Sequence, residues 1–171
     1  MKVAIASGKG GTGKTTLSVN LAAYMSEVSL SSGGVVLADL DAEEPNSGLF
    51  LSGPVVHQEE IVRMVPSWKK ENCTSCGLCR SVCNFHAAIQ LGPQVMIFPE
   101  LCHSCYACSE LCPSEALPMV PVRIGRLKHS RANSDSGSFP FVEGRLDIGP
   151  DKAVPVIART LAYAEKAFPK G

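Results

Sequence analysis

The sequence predicts an α/β protein: a doubly wound, mostly parallel but incomplete sheet, interrupted by a small inserted α+β unit. Three observations predict this. A short apolar stretch, Lys2 to Ala6, runs into a glycine loop and then into a segment with helical spacing. A second apolar stretch, Val35 to Asp41 (VVLADLD), ends in acidic residues. All eight cysteines then fall in mid-chain, in two copies of one string, CxxCxxCxxxC. Strands alternating with helical segments argue for a parallel sheet, and the cysteine block interrupts that alternation.

Taken in order, Lys2 to Ala6 reads as a short buried strand, and Lys14 to about Met25 places Leu17, Leu21 and Tyr24 at helical spacing. Between them lies SGKGGTGKTT, which from Gly8 to Thr15 fits GxxxxGK[ST], a P-loop. Gly8, Gly10, Gly11 and Gly13 let backbone N–H groups, with those of Lys9, Thr12 and Thr16, turn toward phosphates. Lys14 reaches the terminal phosphates and Thr15 is placed to ligate Mg2+. A helix N-terminus behind the loop adds its dipole to the same anion site. The stretch from Val35 brings Asp39 and Asp41 to a carboxyl end of the sheet, the edge where ligands of doubly wound folds lie.

Pro54 to Trp68 alternates weakly and reads as an edge strand or connection. The cysteines follow at a constant offset of 29 residues, 73 to 102, 76 to 105, 79 to 108 and 83 to 112. This is the string of two-cluster bacterial ferredoxins, in which three thiolates of a run hold one 4Fe-4S cube and the fourth crosses to the other cube. On that rule Cys73, Cys76, Cys79 and Cys112 hold one cluster, and Cys102, Cys105, Cys108 and Cys83 the other. A disulfide framework needs an export signal and an oxidising compartment, and MKVAIASGKGG has too brief an apolar run for one. Pro113 follows the second run, whereas Asn84 stands at the matching place after the first. Within the insert, Ala87 to Leu91 and Val95 to Phe98 flank Gly92 and Pro93 as the arms of a hairpin. His103 and Tyr106, inside the second run, read as a loop residue and a packing lid, and Trp68 as a packing residue.

Beyond the insert, Arg123, Arg126, Lys128 and Arg131 form a loose basic run that reads as a solvated loop, and His129 to Phe139 (HSRANSDSGSF) as a flexible surface loop. Pro150 to Phe168 reads as a returning helix with an apolar face at Val154, Ile157, Leu161 and Ala164. The domain plan is therefore 1–66, first part of the nucleotide-binding fold; 67–122, two-cluster insert; and 123–171, return.

The extra lysine Lys9 in KGGTGKT, with VVLADLD and the following Glu44, Pro45 and Asn46, resembles the deviant-Walker-A ATPases of the MinD/Mrp type, a group that includes the nitrogenase iron protein. Within it, the chain is most similar to MinD-like ATPases with an inserted ferredoxin domain, and the resemblance covers essentially its whole length. It implies a P-loop NTPase fold, ATP with Mg2+, and a homodimer formed on ATP binding, in which Lys9 reaches the partner's ATP. It also implies that Asp39 and Asp41 are the switch pair near the metal and the attacking water.

The function expected is nucleotide-switched electron transfer, or redox maturation of an unidentified partner protein. A cluster carrier or scaffold, and a ferredoxin module that binds nucleotide without turnover, are the alternatives. Zero formal net charge among 171 residues, with no basic stripe, speaks against a nucleic-acid surface, and no stretch is long and apolar enough for a membrane span. A cytoplasmic, reduced setting follows for thiolate ligands. One part of the ATPase is missing from the expected plan. A further apolar strand ending in an acidic residue holds Mg2+ through its water shell, and the resemblance places it after the returning helix, between the Met1 and Val35 strands of the sheet. The 171 residues are thus expected to be the N-terminal part of a longer ATPase, or to need a partner to complete the sheet.

Overall fold

In a computed structural model, residues 1–28, 34–134, 137–149 and 152–169 are described, and these divide the chain into two compact units, Met1–Ile61 with Ile124–Gly171, and Val62–Arg123. The first unit is built from α1 (Lys14–Val28), β1 (Leu37–Asp39), the leading part of β2 (Val55–Pro66), most of β5 (Met119–Ser134), β6 (Gly137–Leu146) and α4 (Val154–Ala167). The second carries α2 (Leu78–Val82), a hairpin of β3 (Ala88–Leu91) and β4 (Gln94–Ile97), and α3 (Ala107–Glu110).

The larger sheet has the order β1-β6-β5-β2 and is mixed. β1 runs parallel to β6, Leu37 opposite Phe141, and β6 runs antiparallel to β5, His129 opposite Val142. Alternation on β6 sends successive side chains to opposite faces. Phe139 and Phe141 pack with Ala22 of α1 and Ala132, while Val142 joins Leu127, Ile124, Val156 and Ala164 on the face that carries α4. Two helices on opposite faces of one sheet make this unit a three-layer α/β/α fold.

Four sequence expectations change. Lys2 to Ala6 forms no strand and lies largely exposed, with Val3 at 61%. Strand formation depends on a neighbour offering ladder hydrogen bonds, and none of the described strands pairs with this stretch. The presumed loop from His129 to Phe139 is instead the facing arms of β5 and β6, with Ser134 opposite Gly137; Asp135 and Ser136 lie outside the described residues. Its polar composition is the outward half of a two-residue period, since Ser130, Ala132, Phe139 and Phe141 are buried between the polar positions. The basic run belongs to the same strand, and Lys128 pairs with the buried carboxylate of Glu143 at 2.6 Å.

The helices also turn partly different faces inward. α4 begins at Val154 and packs Ile157 and Ala164 inward as expected, but it also buries Val156 and Thr160, whereas Val154 and Leu161 are exposed; Pro150 lies outside the described residues. The reason is Gly144, where an added Cβ would stand 2.2 Å from Thr160 Oγ1: a bare backbone lets the helix dock on its smaller side. The Thr160 hydroxyl donates to Val156 O at 2.8 Å, so its burial leaves no orphan donor. On α1, Ala22 is buried while Leu17 and Tyr24 stand 57% and 61% exposed, because the Phe139 and Phe141 rings already fill the space beneath.

Candidate functional site

The glycine loop leaves solvent and enters α1 at Lys14. Gly11 and Gly13 have φ of 71° and 85°, a region that side chains enter at a cost, while an added Cβ there would meet nothing within 4 Å. Conformation, and not crowding, is therefore the reason for glycine at these two places. Local bonds hold the curve: Lys9 N donates to Ser7 Oγ at 3.2 Å, Thr12 Oγ1 donates to Lys9 O at 3.4 Å, and Leu17 N reaches Gly13 O at 2.8 Å to start the helix. Gly8, Lys9, Gly10, Thr12 and Thr16 are exposed, whereas Lys14 and Thr15, at the N-terminus of α1, are half-buried. The arrangement is an open, solvent-facing loop at the N-terminus of a helix.

Asp39 ends β1, half-buried, and its two carboxylate oxygens accept from backbone N–H groups of the following loop, Asp41 at 3.1 Å and Ser47 at 3.0 Å. That grip folds Asp41 to Ser47 back over the strand end, with Asp41 exposed.

The second unit gathers the cysteines. Cys73, Cys76, Cys79 and Cys112 line one cavity together with Trp68 and Gln90. Burial raises the pKa of the Cys79 thiol, and the neighbouring charges of Cys73, Cys76 and Cys112 push the same way. Cys108 is pushed up to about 11 by burial, reinforced by Cys102, Cys83 and Cys105. At Cys112 burial pushes upward too, but N–H groups of Ser114, Ala116 and Leu117 and the Ser114 hydroxyl stabilise the thiolate and lower its pKa overall. Two groups of four thiols thus form, each taking one member from the other run. Among the described residues no three His, Cys, Asp or Glu side chains close on a single metal ion.

The offset of 29 residues extends from the cysteines to the backbone around them. Ser75 N donates to Cys73 Sγ and Ser104 N to Cys102 Sγ, both at 3.4 Å, and Ala87 N to Cys83 Sγ and Ala116 N to Cys112 Sγ, both at 3.3 Å. Left-handed φ recurs in register, at Ser75 and Ser104, Gly77 and Tyr106, His86 and Glu115. The substitution of Asn84 for proline leaves the turn intact, since His86 N to Cys83 O and Glu115 N to Cys112 O both measure 3.2 Å. Tyr106 is exposed and precedes α3, and His103 stacks on Phe85 with ring centroids 3.7 Å apart.

Two residues at these thiols escaped sequence reasoning. Trp68, read as a packing residue, lines the first cavity with a buried indole N–H that has no hydrogen-bond partner. Arg63 is buried in β2, and its guanidinium donates to Cys102 O at 3.2 Å and Pro99 O at 2.5 Å. Both precede the first cysteine, and no spacing rule connects them to it.

A strand-borne aspartate, a glycine loop at a helix N-terminus and helices on both sheet faces define an α/β nucleotide-binding protein with a P-loop. Residues 3–165 match the CobQ/CobB/MinD/ParA nucleotide binding domain, and the chain belongs to that family. Two uncharacterized proteins of Methanocaldococcus jannaschii are similar to it, one 30% identical over 97% of this chain and 55% of the relative, the other 28% identical over 95% of this chain and 56% of the relative. The chain therefore spans about half the length of these relatives. It is also 29% identical, over 48% of its own length and 17% of the other, to the polyferredoxin protein MvhB of Methanothermobacter thermautotrophicus. No helix among the described residues is long and apolar enough to cross a membrane.

Proposed function

We propose that this chain is the nucleotide-binding and electron-carrying part of a MinD/Mrp-type ATPase with an inserted two-cluster ferredoxin unit, residues 67–122, and that ATP binding and hydrolysis switch electron delivery to a partner protein. The carrying observation is the pairing of thiols across the repeat: Cys112 lines one cavity with Cys73, Cys76 and Cys79, and Cys83 stands with Cys102, Cys105 and Cys108. The donor set fits a 4Fe-4S cube better than a single ion. A cube spreads its four thiolates widely, whereas one ion needs them clustered. The N–H groups of Ser75, Ala87, Ser104 and Ala116 donate to cysteine sulfurs, and the orphaned Trp68 N–H would be free to meet a cluster in the first cavity; such donors hold the added negative charge of reduction. Each cluster would supply one-electron transfer at low potential.

The remaining roles belong to the larger unit. Backbone N–H groups from Gly8 to Thr16 would hold ATP phosphates, Lys14 would neutralise the terminal ones, Thr15 would ligate Mg2+, and Asp39 and Asp41 would act on the metal and the attacking water. The grip of Asp39 on the Ser47 N–H gives the loop a means of sensing what lies at the strand end.

Anaerobically reconstituted protein should bind about eight iron atoms, four per cube. Cys112→Ser should damage the cube of the first run, and loss confined to the cube of Cys102, Cys105 and Cys108 would refute the crossed assignment. Lys9→Ala should weaken ATP-induced dimerisation without changing iron content, because Lys9 gains its phosphate only when a second subunit arrives. Light scattering with and without ATP measures this, and unchanged association would remove that role.

A further inference from the structure

We infer that Arg63 makes the two cubes unequal, holding the cube of Cys102, Cys105, Cys108 and Cys83 at the higher reduction potential. The inference rests on the cluster reading above and concerns what surrounds each cube once both are in place.

Around the sulfurs the two halves repeat closely, as the paired hydrogen bonds and left-handed residues show. Arg63 breaks the repeat. The residue is buried, 9% exposed, and its guanidinium binds two carbonyls of the turn that leads into the second run, those of Pro99 and Cys102, while its Nε is buried without a hydrogen-bond partner. Ser104 Oγ, donating to Met64 O at 2.6 Å, ties the same loop to the strand that carries Arg63. In the first half a side chain that holds the cysteine loop is neutral: Gln90 Nε2 donates to Ser75 O at 3.0 Å and to Gly92 O at 2.9 Å. The buried donor facing the first cavity is the uncharged indole of Trp68. Lys69, Lys70 and Arg80 flank the first run as well, but all three are exposed, where salt and water screen them.

Burying a guanidinium among carbonyls is costly unless a negative charge answers it. A cube with four thiolates is net negative, and reduction adds one more negative charge to it. A fixed positive charge therefore favours the reduced state of the cube beside it. One effect opposes this: Cys102 is buried and Cys73 only half-buried, and burial disfavours the added charge. The Coulomb effect wins. A unit charge roughly 10 Å away, at an effective dielectric of about 20, shifts a one-electron equilibrium by about tenfold. Electrons entering the pair then come to rest on the second cube.

The test uses the full anaerobic chain, titrated with dithionite and followed by electron paramagnetic resonance. Two one-electron waves are expected, assigned by Cys76→Ser, which perturbs the first cube, and Cys105→Ser, which perturbs the second. The wave of higher potential should be the one altered in C105S. Arg63→Gln should keep the iron and lower that wave alone by about tenfold in the reduced-to-oxidised ratio, or about 59 mV for one electron. Arg63→Lys should restore most of it, as a purely structural role would not. The inference falls if the higher wave belongs to the C76S-sensitive cube, if R63Q moves both waves or neither, or if R63K sits as low as R63Q. Should R63Q shed iron, the assignment in the unmodified protein decides alone. Wild-type protein that takes up no iron would overturn the cluster reading itself, at the iron assay and before any potential is measured.

Discussion

Lys14→Ala should weaken ATP binding about 10- to 100-fold, the loss of one or two charge-assisted contacts to phosphate at roughly 1.5–3 kcal/mol in all. The side chain leaves the first residue of α1, half-buried, at the point where the Gly13 turn hands the backbone to the helix. An ammonium held there adds its charge to the N–H groups and dipole of the helix end. Calorimetric titration with Mg-ATP measures the change. Iron content should be untouched, because every cysteine belongs to the other unit. Equal affinity in the variant would remove the nucleotide site from this loop. The same 171 residues should turn ATP over barely or not at all, since Lys2 to Ala6 has no strand partner among the described residues. Sustained Mg2+-dependent turnover, abolished in K14A, would show that the site needs nothing more.

Gly144→Ala should lower stability by about 1–3 kcal/mol, the usual cost of forcing a group into a filled core. The new methyl would lie 2.2 Å from Thr160 Oγ1 and 3.1 Å from Val156 Cγ1, so α4 has to lift from the sheet or Thr160 has to turn. For a chain of this size the melting temperature falls by about 2–4 °C per kcal/mol. Gly10→Ala, whose methyl would meet nothing within 4 Å, should melt within about 0.5 kcal/mol of the parent. Adding Thr160→Ala to Gly144→Ala opens the needed space, and the double variant should recover part of the loss. Simple addition of the two single effects would place the strain elsewhere.

What could be read from the sequence was pattern carried by local spacing. The glycine loop, the cysteine runs and the hairpin around Gly92 and Pro93 are each written within a few dozen residues, and the structure forms β3 and β4 where their pattern indicated. What escaped depended on partners distant along the chain. Ser130, Arg131 and Ala132 read as a loop until Phe141, Pro140 and Phe139 are set opposite them. On α4, Ile157 and Ala164 pack as their spacing indicated, whereas the burial of Val156 and Thr160 in place of Val154 and Leu161 depended on Gly144, a residue without a side chain. Lys2 to Ala6 has the composition of a strand, yet composition cannot supply a neighbour. Arg63 and Trp68 carry no motif, and only their burial beside Cys102 and Cys73 reveals them.

The parallel ladder between β1 and β6 sets the order in which this chain can acquire its structure. Leu37 must find Phe141, with the whole insert between them, while β5 and β6 pair as neighbours and every cysteine contact falls within Val62–Arg123. Closing so long a loop carries a large entropy cost that local pairings escape. The insert and the β5–β6 hairpin are therefore expected to form early. Because Ile61 and Ile124, at its two ends, belong to one core cluster, a folded insert shortens the effective loop that β1 must close. Mutations that slow the insert should then delay the appearance of the nucleotide cradle as well, although they touch none of its residues.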